Sequence, residues 1–148
     1  MKDFFLDIFE YHHHFNQQLA SKISNHINEI PAHLFTLYCH TLNAHQIWNA
    51  RILLHKKNGV FDMHTIDQCI ALDHKNYQNT VHIVQTQDFQ TVVEYATSDG
   101  RTYRNTIQEI LFHVSNHSTH HRGQIIAMFR ECQIEPLVTD YIFYKRKS

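Results

Sequence analysis

The chain is poor in the residues that break helices. Three glycines and two prolines in 148 residues leave little material for a turn-rich β fold. Three cysteines, Cys39, Cys69 and Cys132, are odd in number, widely spaced and form no CxxC pair. That excludes a disulfide framework and leads us to expect a reducing, cytoplasmic setting. Excess charge is also missing: the formal net charge is −1, and no basic block occurs before the last few residues. Such a balance argues against nucleic acid as a partner. No apolar run is long enough to span a membrane, and the N-terminus lacks a signal-peptide pattern, so no membrane partner is expected either.

What is present suits a globular fold. The composition is 43% hydrophobic and 12% aromatic, and 148 residues suffice for one domain with a true core, taken here as 1–148. Histidine is the outlier, at fifteen residues. Four of them, His113, His117, His120 and His121, fall in one stretch with no helix breaker before Gly123. Around them Ile107, Ile110, Leu111, Val114, Ile125 and Met128 recur at helical spacing, which predicts a long amphipathic helix. At about 100° per residue, His117 and His121 flank its apolar stripe, roughly 80° and 40° from the centre; His113 and His120 lie further out, at roughly 120–140°. Imidazoles at i and i+4 project from adjacent turns of one face and can reach one ion.

Before that helix the period is mostly helical. Phe4, Phe5, Ile8, Phe9, Phe15, Leu19, Ile23 and Ile27 predict a first helix from about Asp3 to Asn28. His12, His13 and His14 are adjacent, so they point in three directions and cannot all serve one site. Pro31 fits the first turn of a second helix, Pro31 to His55, which carries His40, His45 and Trp48. Periodicity does not choose between the two histidines, and Trp48 is expected in the core. Gly59 is expected to supply a left-handed turn after that helix. A third helix starts at Thr65 or Asp67. The period then changes: Val92 to Thr97, the Asp99-Gly100 turn signal and Arg101 to Tyr103 predict a small hairpin or extended crossover. The fourth helix is capped near Asn105 or Thr106 and ends around Glu131 to Gln133. An aromatic tail, Thr139 to Tyr144, is expected to pack back, and Lys145 to Lys147 to form a solvated end. Four long helices make an all-α four-helix bundle.

Bundles build metal sites from facing helices. A His pair on helix four with one histidine from helix two gives three nitrogens and an open position, as in catalytic rather than structural zinc sites. Peptidase chemistry is disfavoured, because Ser118 stands where an HExxH helix has its glutamate. A di-iron site is disfavoured by the near absence of carboxylates on helices two and four. Gln124, Asn43 and Asn116 are candidates to orient ligands from behind. Arg122 is a candidate to bind a cofactor carboxylate or to pair with a neighbouring acid, the pair being the expectation, and Gly123 is expected to permit close helix packing.

The stretch His113-Val-Ser-Asn-His117-Ser-Thr-His-His121-Arg-Gly-Gln-Ile resembles the signature helix of the DinB/YfiT superfamily. His40-Thr-Leu-Asn-Ala-His-Gln-Ile-Trp48-Asn-Ala-Arg51 is similar to that superfamily's second-helix motif, and Tyr95 to Gly100 to its crossover. The resemblance implies an up-down-down-up bundle, often a homodimer. It implies one divalent metal, zinc or nickel, on His40, His117 and His121; His40 is chosen over His45 on this ground alone. Characterised members are thiol-dependent transferases, so a low-molecular-weight thiol such as bacillithiol as co-substrate, an electrophile as its target, and a damage-inducible role are implied as well. No catalytic or thiol-binding residue is assigned by the resemblance.

Overall fold

The computed structural model describes residues 1–146. Lys147, part of the expected solvated end, lies outside the described residues. Four long helices, α1 (Lys2–Asn25), α2 (Ala32–Leu53), α3 (Ile66–Thr86) and α4 (Ile107–Glu131), form the bundle. A hairpin, β1 (Val92–Ala96) and β2 (Thr102–Thr106), joins α3 to α4, and a short α5 (Tyr141–Lys145) follows. α1 packs on α3 and α4, and so does α2, so consecutive helices α1 and α2 sit on a diagonal. The all-α fold with a hairpin before the last long helix is thus as expected.

The helix starts are written locally. Thr65 and Thr106 each accept from the backbone N–H three residues on, and Gln68 and Glu109 reach back to the cap. Each such reciprocal cap stabilises its helix by about 1 kcal/mol. β1 and β2 pair antiparallel, Val92 opposite Thr106 and Tyr95 opposite Tyr103, around Gly100 at φ +82°. Three local expectations fail. α1 stops at Asn25, short of Asn28, and Pro31 is the cap of α2 rather than its first-turn residue. The left-handed residue ending α2 is Leu54, at φ 58°, not Gly59. Gly59 instead admits the Asp62 carboxylate, which accepts its N–H at 2.7 Å and would lie 2.4 Å from a Cβ there.

The core is divided. One cluster joins Leu19, Ile23, Leu34, Tyr38, Leu42, Ile125 and Phe129; the other joins Phe5, Phe9, Ile83, Val84, Ile107, Ile110, Leu111 and Val114. Each fully buried Leu, Ile or Phe contributes about 1.5–3 kcal/mol. Between the clusters each of the four long helices contributes buried polar residues to a belt: His12 and Asn16, His45 and Asn49, Asp73, Asn76 and Thr80, then Ser118 and Arg122. Asp73 accepts from His13, Asn16 and Gln17 at 2.6–2.8 Å. His45 bonds Thr80 at 2.7 Å, and Asn49 bonds Thr80 and the Asn76 carbonyl. Among the described residues Arg122 has no acid partner, contrary to expectation; it donates to Tyr11 and His12. Gly123 has no packing role either, since a Cβ there would meet nothing within 4 Å. The tail does pack back: Tyr141 donates to Asp7, Lys145 pairs with Asp7 at 2.5 Å, and Tyr11 donates to the Thr139 carbonyl.

Two predictions follow from the belt and from α4. Burial holds the His45 pKa down at about 4, against the opposing pull of Asp73. Between about 4 and the ordinary 6.5 the unfolded chain binds the extra proton, so stability rises with pH across that window and is lost on acidification. The loss attributable to His45 is about 3 kcal/mol. Urea midpoints of His45→Asn should therefore change less between pH 6.5 and pH 4 than those of the parent. Gly123→Ala should raise stability by about 1 kcal/mol in the same assay, because the exposed helical position offers room for the methyl group.

Candidate metal centre

The sequence places His117 and His121 on successive turns of α4, and the α2–α4 contact brings His40 opposite them. One ligand atom from each of the three lies within 4.8 Å of the others. Ring centroids are 4.3 Å apart for His117 and His121, 5.0 Å for His40 and His121, and 5.3 Å for His40 and His117. All three are half-buried. His45 is not part of the group: it turns toward α3, where Thr80 occupies its Nε2.

The hydrogen bonds aim the rings. His40 donates from Nδ1 to the Val60 carbonyl at 3.3 Å. His121 donates from Nδ1 to Gln124 Oε1 at 2.6 Å. Both rings therefore carry their proton on Nδ1 and present Nε2 as a lone pair. His121 Nε2 faces His117 Nε2 at 3.0 Å, so those two nitrogens share one proton, carried by His117. Burial, then the charges of His121, His40, His113 and His120, hold the His117 pKa down at about 4. Burial also lowers His121, against the bond from Gln124. Neutral imidazoles are the form that binds a metal.

Among the groups expected to sit behind the ligands, Gln124 does so directly. Asn43 does so at one remove. It is buried, donates to the Asp62 carbonyl at 2.8 Å, and accepts from His64 at 2.7 Å and Asn58 at 3.1 Å. It thereby fixes the loop whose Val60 carbonyl holds His40. Asn116 is exposed and takes no part. Phe61 of the same loop stacks on His40, 5.4 Å between centroids. Sequence reasoning missed Val60 and Phe61, because the loop has no periodicity to place it. Trp48 is half-buried rather than central. It packs between Tyr95 of β1 and His113, and the Arg51 guanidinium lies 4.3 Å from its ring.

The donor set is nitrogen alone; among the described residues no carboxylate belongs to the cluster. Ser118, the position a peptidase would give to its glutamate, is buried away among the belt residues. A cavity of about 520 Å³ adjoins His40 and His121, walled by Leu37, Phe61 and Met128. The arrangement suits one divalent ion held by the three imidazoles. No helix is long and apolar enough to cross a membrane among the described residues.

A sequence model described as "DinB family" matches residues 1–148. Protein DinB of Bacillus subtilis (strain 168) is 46% identical over 41 residues, which is 28% of this chain and 24% of that protein. The aligned segment thus spans about a quarter of the length of that relative.

Zinc affinity, measured by competition with a chromophoric chelator, should fall more than about 100-fold in each of His40→Ala, His117→Ala and His121→Ala, because changes behind the ligands alone cost about 10–100-fold. Gln124→Leu should fall in that lower range, and His45→Gln should bind as the parent does.

Proposed function

The chain belongs to the DinB family, and on that premise we propose that it is a metal-dependent thiol S-transferase. Its site would be His40, His117 and His121, its ion zinc or nickel, its co-substrate a low-molecular-weight thiol of the bacillithiol kind, and its second substrate a small electrophile. The observation that carries the reading is a carboxylate-free group of three imidazoles opening beside an apolar cavity.

When bound, the ion lowers the pKa of a thiol in its open position, so that a thiolate exists at neutral pH. The chain's own part is to hold and exclude. Val60 and Gln124 fix the tautomer and the aim of His40 and His121. Leu37, Phe61 and Met128 would offer an apolar wall for the electrophile. With no carboxylate in the cluster, no built-in base favours water as the nucleophile. A second reading is a metal-binding stress protein without catalysis, and the lack of a carboxylate in the triad favours it.

Consumption of an electrophile, followed with zinc- or nickel-loaded protein and bacillithiol, glutathione or cysteine, separates the two. The transferase reading expects loss of electrophile that needs both thiol and metal and disappears in His117→Ala. Stoichiometric metal binding with no acceleration by any of the thiols leaves the non-catalytic protein.

A further inference from the structure

Arg122 is 3% exposed, yet none of the ion pairs among the described residues includes it. Its guanidinium donates to Tyr11 Oη at 2.5 Å and to His12 Nδ1 at 3.0 Å, and lies 4.7 Å from the Tyr11 ring centre. Both partners are neutral. Arginine has five N–H donors, and the two acceptors found for them among the described residues are both neutral; a buried cation lacking a counter-charge is costly.

The proton order of the network is fixed from this end. His12 accepts at Nδ1, so it carries its proton on Nε2 and donates to Ser115 Oγ at 2.9 Å. Burial first, then the Arg122 charge, push the His12 pKa well below the ordinary range, which keeps the ring neutral. Ser115 receives that bond, and its own O–H has no acceptor among the described residues. Tyr11 accepts from Arg122 and donates its O–H to the Thr139 carbonyl.

Arg122 and Ser115 both line a cavity of about 510 Å³ between α1, α4 and the tail, apart from the three histidines. Gly123 lines it too, and a Cβ there would meet nothing within 4 Å. The glycine that helix packing leaves unexplained is thus where the cavity wall has no side chain. Asp140 is the one acid lining the cavity, and it is exposed.

We propose that this cavity binds a small amino carboxylate, its carboxylate on Arg122 and Ser115 and its ammonium toward Asp140. The buried cation and the free hydroxyl supply donors to the anionic end. Asp140 favours a cationic outer end and disfavours a doubly charged phosphate.

Calorimetric titration of the full chain with 4-aminobutyrate, butyrate, inorganic phosphate and sodium chloride tests this. Saturable binding is expected for 4-aminobutyrate, weaker binding for butyrate, and none for chloride. Arg122→Gln risks the fold, so the informative variants are Gly123→Leu, which fills the cavity from an exposed helical position, and Ser115→Ala. Each should weaken 4-aminobutyrate at least about tenfold, while His117→Ala, which alters the metal centre, should leave it unchanged. Absence of saturable binding, binding unaltered in Gly123→Leu, or binding lost with His117→Ala would overturn the proposal. Phosphate binding tighter than either carboxylate would overturn the assigned ligand class.

Discussion

A buried polar atom must find a partner or cost about 1–3 kcal/mol, and this requirement sets the register of the bundle. Apolar stripes alone tolerate sliding, since one leucine packs much like the next. The belt across the middle does not. Asp73 on α3 needs three donors that only α1 supplies, and Thr80 needs His45 and Asn49 of α2. Asn76 donates to the Leu42 carbonyl, and Tyr38 to that of Asn16. Slipping any helix by a turn would break several of these at once in surroundings where each is strong. With α2 fixed in this way, His40 has one height available, and it is the height of His117 and His121.

At the triad a different constraint takes over. Two ring nitrogens 3.0 Å apart cannot both be lone pairs or both carry protons without repulsion. One shared proton or one cation satisfies them, and the choice between these is open because Gln124 and Val60 hold the outer nitrogens in either case. The loop after α2 therefore belongs to the site although it donates no ligand. Asn43 and Asp62 give it its shape, and Gly59 is needed for the approach of Asp62 rather than for a turn.

The parts legible in the sequence are those set by periodicity and by caps. The i, i+4 spacing of His117 and His121, the Thr106 cap and the Asp99-Gly100 turn all act within a few residues, so local reasoning reaches them. His40 against His45 was not legible. The two are five residues apart on one helix, both border the apolar stripe, and their fates divide only because Thr80, 35 residues after His45, captures that ring. Arg122 was misjudged for a related reason: an arginine is expected to seek a carboxylate, but its neighbours in space are Tyr11 and His12, more than a hundred residues earlier. Leu54 took the left-handed position because α2 ends there, five residues before the glycine the sequence offers.

The absence of carboxylates from the triad has a chemical consequence of its own. Three neutral imidazoles would leave a divalent ion with its whole charge, in a half-buried setting walled on one side by apolar groups. An anionic fourth ligand is then favoured over water, because it neutralises charge that the protein does not. Softness selects further: imidazole-bound zinc or nickel accepts thiolate sulfur readily. A site with an adjacent glutamate would instead be primed to deprotonate water and hydrolyse. On the proposed reading, these two features, ligands without charge and an apolar cavity beside them, would favour a thiolate over water at the ion.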